Sequence, residues 1–465
     1  MIHHYQNNGY HIVLDVNSGS VHVVDKIAYD AVACLKPFYE KQAKAVINRK
    51  EVQALLLGKL SDRYQKEELL EVCDDLMELI EAGQLCTADI YESYISDIKK
   101  HKTVVKALCL HIAHDCNLAC KYCFAKEGEY HGHRELMSFA VGKKALDFLI
   151  ANSGNRRNLE VDFFGGEPLM NWQVVKDLVA YGREQEKIYD KNFRFTLTTN
   201  GVLLDDEVMA FANKEMANVV LSLDGRKEVN DCMRPFRNGK GSYDLIVPKF
   251  QNLVKHRADK DYYIRGTFTR NNLDFAQDVL HFADLGFEQI SIEPVVGEET
   301  DAYAIRAEDL PQIMAEYDVL AKEMVRRNKA GAGFHFFHFL LDLEGGPCVA
   351  KRLSGCGAGT EYLAVTPWGD LYPCHQFVGQ EMFLLGDVER GIVKTEIPAA
   401  FSTCSVYSKE ECKTCFAKFY CSGGCMANSY KCKQTIHDVY DIGCEMERKR
   451  VECAIMLKVA QFDAE

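Results

Sequence analysis

Three cysteines lie close together in the stretch DCNLACKYCFAKEGEY, at residues 115–130. Cys116, Cys120 and Cys123 follow a C-x3-C-x2-C pattern. Thiolates are the side-chain ligands that iron–sulfur clusters and soft metals prefer. A [4Fe–4S] cluster normally takes four cysteines, so three leave one iron open to a ligand that is not protein. The alternative is a zinc site, although zinc ribbons favour paired C-x2-C spacings. Its fourth ligand would be His111, His114, His131 or His133.

A second group of cysteines lies near the C-terminus, where 11 of the 19 cysteines fall between Cys348 and Cys453. Regular structure is hard to predict there, and metal or cluster ligation would supply the stability that a loop-rich region lacks. Cys404 and Cys432 are ambiguous. The remaining cysteines are interpreted as small buried hydrophobic residues: Cys34, Cys73, Cys86, Cys109, Cys232 and Cys453.

The bulk properties indicate a large protein of about three domains, since the chain has 465 residues. Hydrophobic and charged contents of 47% and 26% are typical of globular proteins. The net charge of −13 argues against nucleic acid or an anionic membrane as the main partner. We expect no signal peptide, since the first residues lack a basic start followed by an apolar run, and we find no apolar run long enough to span a bilayer. Together with an odd number of cysteines, this predicts a cytoplasmic protein.

Six β-rich runs alternate with helical stretches between residues 105 and 330. This alternation predicts an α/β fold with a parallel sheet, curled into a partial (β/α)6 TIM barrel. Several runs end in polar or glycine-containing sequence, and the carboxyl ends of barrel strands carry active sites. The predicted strands are ALCLHIA, LEVDFFGG, FRFTLTTNG, VVLSLDG, YIRGTFT and QISIEPV.

Smaller domains are predicted on either side of the region between residues 105 and 330. Residues 1–95 contain a hairpin pattern, HIVLDV-NSGS-VHVVD, and then three helical patterns, which suggests a winged-helix-like domain. Residues 345–465 contain a second hairpin pattern with its turn at Pro367 to Asp370, cysteine-rich loops, and a terminal helix near CEMERKRVECAIMLKVAQF.

The cysteine loop, with Tyr122 between its last two cysteines, and the later FFGGEP stretch together resemble the radical SAM enzymes. The resemblance implies that catalytic Cys116, Cys120 and Cys123 hold a [4Fe–4S] cluster. S-adenosylmethionine (SAM) would chelate the fourth iron of that cluster. Its reductive cleavage gives a 5′-deoxyadenosyl radical that abstracts hydrogen.

The same resemblance implies a set of SAM-binding residues at the strand ends. Gly165, Gly166 and Glu167 would line the amino group of SAM, with Pro168 fixing the turn. A structural role in a turn is an equal alternative for the residues that follow the later strands. The other implied contacts are Tyr122, Asn200, Ser222, Asp224 and Arg234, with Glu293 a weaker candidate.

The C-terminal cysteines resemble the seven-cysteine SPASM extension of radical SAM enzymes, which usually holds two auxiliary [4Fe–4S] clusters. Three clusters in all are therefore implied. The open position of the second auxiliary cluster would be filled by Cys348 or, as we favour, by a substrate thiolate. By resemblance, Cys412, Cys415, Cys421 and Cys444 hold one auxiliary cluster, and Cys356, Cys374 and Cys425 hold the other.

The order of the three regions resembles the clostridial maturases of SCIFF peptides, which form thioethers under anaerobic conditions. This implies Cys-to-Thr crosslinks in a Cys-rich, ribosomally made precursor whose leader adds a strand to the N-terminal domain. It also implies an electron donor such as flavodoxin or ferredoxin. The alternatives are a formylglycine-forming enzyme similar to the anaerobic sulfatase maturases, and a zinc-stabilised binding protein.

Overall fold

The computed structural model describes residues 1–41, 47–95, 104–130, 132, 134–298, 300–343 and 349–462. None of the helices among these residues is long and apolar enough to cross a membrane. The strands are β1 Ile2–Asn7, β2 Tyr10–Asp15, β3 Val21–Val24, β4 Ala107–Ala113, β5 Asn158–Gly165, β6 Asn192–Thr199, β7 Asn218–Ser222, β8 Asp261–Phe268, β9 Gln289–Pro294, β10 His335–Phe336, β11 Tyr362–Val365, β12 Asp370–Tyr372, β13 Gly386–Asp387 and β14 Gly391–Ile392. The helices are α1 Lys26–Lys41, α2 Arg49–Leu60, α3 Lys66–Glu81, α4 Phe139–Asn152, α5 Trp172–Tyr189, α6 Asp206–Glu215, α7 Lys227–Met233, α8 Tyr243–Lys255, α9 Phe275–Asp284, α10 Leu310–Lys329, α11 Val349–Ser354, α12 Glu396–Thr403, α13 Glu410–Lys413, α14 Lys418–Cys421, α15 Met426–Lys433 and α16 Asp441–Phe462.

Six neighbouring parallel strands, β4 to β9, form the centre of an 11-stranded sheet. They are the six predicted strands, and helices α4 to α9 lie between them in the chain. The prediction of an α/β fold with a large parallel sheet is therefore confirmed. Sequence neighbours pair in order from β4 to β10, and within the described residues β10 does not pair back with β4. The sheet consequently stays open, as in a partial barrel.

The two faces of this sheet differ in chemistry because side chains alternate along each strand. Leu110, Phe163 and Leu197 are fully buried on the face that packs against the helices. The opposite face carries polar residues, among them Asp162 and Ser222, which alternate with the apolar ones. The polar face and the carboxyl ends of the strands are therefore where chemistry can take place.

The cysteine-rich region is continuous with the same sheet. Strand β11 pairs with β4 in parallel, and β12 pairs with β11 in antiparallel orientation across residues 366–369. The predicted hairpin and the predicted terminal helix are both confirmed, the helix beginning at Asp441 rather than Cys444. The shared sheet places the C-terminal cysteines beside the strand that leads into the first cysteine loop.

The N-terminal part is a three-stranded antiparallel sheet, β1-β2-β3, followed by α1, α2 and α3. The predicted hairpin corresponds to β2 and β3, and the three helices are confirmed, whereas β1 was not predicted. Val13 packs with the three helices, while Ile12 and Leu14 on the opposite face belong to the main core of the protein. The two faces of this small sheet thus belong to two different cores.

Candidate active site

The C-x3-C-x2-C loop begins directly after β4, whose seven residues are all buried. Two of its amides donate hydrogen bonds to carbonyls at the end of α7 and just after it. Ala119 donates to the carbonyl of Pro235 at 2.9 Å, and Lys121 donates to the carbonyl of Met233 at 3.0 Å. From the end of β6, the Nδ2 group of Asn200 donates to the Cys116 sulfur at 3.6 Å. Hydrogen bonds from two other strand connections therefore position this loop.

The chemistry of the three thiols fits an iron–sulfur cluster. All three are partly buried, and burial raises the pKa of Cys116 to about 11 and that of Cys120 to about 12. Negative charge on Cys116 and Cys123 raises the pKa of Cys120 further, so the three sulfurs lie within electrostatic reach of one another. Metal binding deprotonates thiols in such surroundings. Three soft donors on one loop suit a cluster that keeps one non-protein position.

Two glycines after β5 allow the cysteine loop to approach the end of this strand. Gly165 has a φ of 122°, and a Cβ added there would lie 2.4 Å from the carbonyl oxygen of Ala113. A Cβ on Gly166 would lie 2.1 Å from the carbonyl oxygen of Asp115. The amides of Gly166 and Glu167 donate to these two carbonyls at 2.7 and 2.9 Å. The glycines therefore set the spacing between the β4 and β5 loops.

We expect Gly166→Ala to lower the iron content and the thermal midpoint of unfolding. The new Cβ meets backbone at Asp115, which cannot rotate away, and such overpacking costs about 1–3 kcal/mol or more. Gly132→Ala is the matched control, since its Cβ would make its nearest contact at an ordinary 3.5 Å. Iron assay and thermal unfolding of both variants measure the effect, and equal values for the two would contradict this account.

Glu167 is completely buried and joins the ends of β5 and β6. Its carboxylate accepts hydrogen bonds from the Thr199 hydroxyl at 2.8 Å, the Asn200 amide at 2.8 Å and the Leu169 amide at 3.1 Å. Burial raises the pKa of this carboxyl, and the three hydrogen bonds oppose the rise. Pro168 begins the short 3₁₀ turn that Glu167 caps. A contact between Glu167 and the amino group of SAM stays a prediction.

Tyr122, Asp224 and Arg234 form a buried polar triad around the cysteine loop. The Tyr122 hydroxyl lies 2.8 Å from both carboxylate oxygens of Asp224 and donates to them, while the Arg234 Nη1 group donates to that hydroxyl at 2.9 Å. Burial raises the pKa of Asp224 to about 6, although Arg234 and Tyr122 oppose this. Arg234 stays charged because Cys120, Tyr122 and Asp224 outweigh the desolvation that lowers its pKa. The triad ties the aromatic residue of the loop to the end of β7.

The remaining predicted residues also lie at carboxyl ends of strands. Ser222 is the half-buried last residue of β7, and it pairs with Arg265 of β8. Arg265 forms an ion pair with Glu293, near the end of β9. The structure therefore brings the predicted residues of β5, β6, β7 and β9 to one edge of the sheet.

Four C-terminal cysteines line a single cavity of about 150 Å³. They are the set Cys412, Cys415, Cys421 and Cys444, which the sequence assigned to one auxiliary cluster. Burial raises the pKa of Cys444 to about 12, and negative charge on Cys412 raises it further. Arg448 donates to the Cys415 sulfur at 4.0 Å. Four thiols around one void of this size fit a cluster with no vacant protein position.

The other three cysteines, Cys356, Cys374 and Cys425, also come together. Burial raises the pKa of Cys374, and negative charge on Cys425 and Cys356 raises it further, so the three thiols lie within range of one another's charge. This donor set fits a cluster with three protein ligands. Cys348, the alternative fourth ligand, lies outside the described residues.

The histidines considered for a zinc site lie beneath the cysteine loop. His111 and His114 are fully buried, with Nδ1 of His111 lying 2.9 Å from Nε2 of His114, and the His114 ring stacks on Tyr130. His131 and His133 lie outside the described residues. In the described part of the chain, no three Cys, His, Asp or Glu side chains converge closely enough to hold a single metal ion.

Two residues that sequence reasoning missed also hold the loop. Arg237 donates to the Asp115 carboxylate at 2.7 Å and to the carbonyl of Cys116. The Tyr130 hydroxyl donates to the carbonyl of Gly165 at 3.1 Å. No spacing rule distinguishes either residue from its neighbours, so no signal in the sequence would have identified them.

Comparison with known proteins gives a family match over the region just described. Residues 110–269 match the model of the radical SAM superfamily. The mycofactocin maturase MftC of Mycolicibacterium smegmatis is 29% identical over 330 residues, which cover 69% of this chain and 77% of MftC.

Two solved structures are similar in fold. The structure of anSMEcpe with bound AdoMet superposes with a TM-score of 0.64 at 20% identity, covering 77% of this chain and all of that one. Streptococcus suis SuiB, bound to its precursor peptide SuiA, has a TM-score of 0.52 at 15% identity and covers 93% of this chain and 96% of SuiB. The three-cysteine loop, the glycine-rich strand end and strands β5 to β8 all fall in the matched region, and residues 110–269 of this chain are therefore a radical SAM domain.

Proposed function

We propose that this protein is a radical SAM peptide maturase that forms Cys-to-Thr thioether crosslinks in a Cys-rich, ribosomally made precursor. The observation that carries the proposal is that the chain has two sets of three thiols, Cys116, Cys120 and Cys123 and then Cys356, Cys374 and Cys425, besides the four-thiol cavity. One three-thiol site leaves a position for SAM, and the second leaves a position for a substrate thiolate.

The cysteine loop would hold the cofactor pair. When bound there, SAM and its [4Fe–4S] cluster supply a 5′-deoxyadenosyl radical that removes a hydrogen atom. The chain itself positions the loop through Asn200, Tyr122 and the close glycine contacts. Because Asp224 and Arg234 are buried around Tyr122, the loop is held without access of bulk water to the triad.

Residues adjacent in sequence to the two three-thiol sets lie near one another. His375, which follows Cys374, lies with its ring centroid 5.8 Å from that of Phe124 and 5.1 Å from that of Phe164. Phe124 follows Cys123, and Phe164 precedes Gly165. Burial raises the pKa of Cys425, and the negative charges of Cys356 and then Glu293 raise it further, so Glu293 of β9 lies within range of this thiol's charge. A sulfur held by this site would therefore face the region where the hydrogen atom is removed.

The proposed reaction balances without a further oxidant. Each crosslink breaks one S–H bond and one C–H bond and forms one C–S bond. One hydrogen atom leaves in 5′-deoxyadenosine, one proton is released, and one electron is returned. A donor such as flavodoxin or ferredoxin supplies one electron for each SAM that is cleaved, so the overall electron count is neutral. The cavity lined by Cys412, Cys415, Cys421 and Cys444 would hold the remaining cluster.

The N-terminal sheet offers a place for the leader of the precursor. Strand β3 lies at one edge of the sheet, paired with β2 on its other side. Val23 in this strand is 50% exposed. An extended peptide can add to such an edge through main-chain hydrogen bonds. SuiB, whose structure contains its precursor peptide, is similar in fold across this region as well.

The function is tested by incubating the anaerobic enzyme with SAM, a reductant and a Cys-rich precursor, followed by mass spectrometry. We expect a loss of two hydrogens per crosslink that survives disulfide reduction, and one crosslink fewer for each acceptor Thr changed to Ala. The precursor without its leader should react on the order of 100-fold more slowly, because the tether no longer raises the local concentration of the core peptide. An unchanged mass, or a loss that reductant reverses, would refute the thioether proposal.

The same assay separates the two alternative functions. Formylglycine formation would remove the sulfur of a single Cys rather than two hydrogens from a pair of residues. A zinc-stabilised binding protein would be colourless, whereas three clusters give a brown protein with roughly twelve iron atoms per chain.

A further inference from the structure

The loop between Cys415 and Cys421 is covered by the N-terminal part of the chain. The ring of His3 stacks on Phe416 with centroids 3.5 Å apart and planes 2° from parallel. Tyr91 meets Phe419 edge-on at 5.3 Å. The loop that carries two cysteines of the four-thiol cavity is therefore held from outside by residues more than 320 positions away in the sequence.

A buried ion pair lies at the centre of this contact. The Lys418 side chain is only 3% exposed, and its ammonium group lies 2.8 Å from a carboxylate oxygen of Asp89. The ammonium also donates to the carbonyl of Lys413 at 3.4 Å and lies 5.1 Å from the centre of the Tyr407 ring. An ammonium with so little solvent is stabilised only if protein groups replace its water, and Asp89 is its anionic partner.

The Asp89 carboxylate is also held in place by two further hydrogen bonds. The Tyr407 hydroxyl donates to its other carboxylate oxygen at 2.6 Å, and the Tyr91 amide donates to the same oxygen at 3.0 Å. Burial alone would raise the pKa of Asp89, but Lys418 and Tyr407 outweigh burial and lower it below its usual range. The Asp89 carboxylate is therefore ionised at neutral pH.

Lys418 also lines the four-thiol cavity. It shares that wall with Cys412, Cys415 and Cys421, and because its side chain is almost fully buried, solvent screens its charge only weakly. An iron–sulfur cluster gains one negative charge on reduction. A nearby cation stabilises the reduced form and raises the reduction potential, whereas a nearby anion lowers it.

We propose that Lys418 and Asp89 together set the reduction potential of the cluster in this cavity, so that the N-terminal part supplies one half of the charge pair that tunes it. The inference rests on the cluster assigned to these cysteines in the proposed function. Both residues act on the cluster only through the electric field of their charges. Neither side chain contacts a reacting atom. The other charges lining the cavity, Glu411, Asp441, Glu445, Glu447 and Arg448, remain constant in the test.

The test is an EPR-monitored redox titration of the full-length protein. The three cysteines 116, 120 and 123 are replaced by Ala to remove the signal of the first cluster, and loss of a signal in Cys444→Ala identifies the cluster under study. Lys418→Met should shift its midpoint potential in the negative direction, and Asp89→Asn should shift it in the positive direction. If Lys418 and Asp89 had only a structural role, their two variants would not be expected to shift the midpoint potential in opposite directions.

Matched controls lie in the short helix α13, which precedes this loop. Lys413 and Glu410 form an ion pair whose side chains are 43% and 82% exposed, so solvent screens their charges. Lys413→Met and Glu410→Gln should leave the potential unchanged. Shifts of the same sign in the two test variants, absence of any shift, or an equal shift in Lys413→Met would overturn the proposal.

Two further outcomes are interpretable. If Lys418→Met fails to load the cluster, Asp89→Asn still tests the proposal. A negative shift, or no shift, of the midpoint potential in Asp89→Asn would contradict it. If the parent protein shows no signal that depends on Cys444, the cluster assignment itself fails, which is a different result from an unshifted potential.

Discussion

Replacing Cys116, Cys120 and Cys123 with alanine is expected to abolish cleavage of SAM. The loop provides no other thiol, and without the cluster there is no site for one-electron reduction of SAM. Formation of 5′-deoxyadenosine should fall to background, and the iron content should fall by about four atoms per chain. Chromatography of the quenched reaction and an iron assay measure the two effects.

Cys232→Ala is the matched control for this experiment. Cys232 is exposed and lies beside the loop, where Lys121 approaches its sulfur at 3.6 Å, yet it belongs to none of the three thiol sets. The control should retain SAM cleavage and iron. If the triple variant still produced 5′-deoxyadenosine at a normal rate, the assignment of the cluster to this loop would be wrong.

Replacing Arg234 with methionine is expected to destabilise the protein in a pH-dependent way. Asp224 is fully buried and has a folded-state pKa of about 6, well above the roughly 3.9 of an unfolded chain. The folded protein therefore binds the extra proton between these two values, and this carboxyl costs stability as pH rises from about 4 to 6. Loss of Arg234 removes the cation that opposes burial, so the pKa of Asp224 rises further and the cost continues to grow above pH 6.

The destabilisation by Arg234→Met should therefore be larger at pH 8 than at pH 5.5, where Asp224 is largely protonated. Breaking a buried ion pair costs about 3–5 kcal/mol, and that is the size we expect at pH 8. Thermal unfolding of both proteins at the two pH values measures the difference. The double variant with Asp224→Asn should lose the pH dependence, since Asp278, the other carboxylate that acts on Asp224, is itself paired with Arg226. If Arg234→Met lost the same stability at both pH values, Asp224 would not be the source of the predicted pH dependence.

Residues whose roles depend on local spacing were predictable. The C-x3-C-x2-C loop, the six strand patterns and the terminal helix each reflect short-range periodicity, and the structure places them as expected. Of the seven C-terminal cysteines, four line one cavity, and the assignment of the other three to a second cluster stays a prediction. Ligands on one loop are brought together by the loop itself, so their grouping needs little knowledge of the fold.

The burial and the hydrogen-bond partners of Glu167 could not be predicted from the sequence. Its motif indicated a polar residue near the SAM site, but the structure shows a carboxylate that is fully buried and already accepts three hydrogen bonds. Burial and hydrogen-bond partners depend on strands that are adjacent in space, and no spacing within GGEP contains that information.

The sequence by itself thus determined the donor chemistry of the first cysteine loop and the alternation of strands and helices, because both follow from residues a few positions apart. The tertiary structure alone decided the long-range pairs. Tyr122 meets Asp224 and Arg234 across 102 and 112 positions, and Asp89 meets Lys418 across 329. The joining of β11 to β4 is of the same kind. Such contacts form only when the whole chain buries its cores, so no local pattern of residue types predicts them.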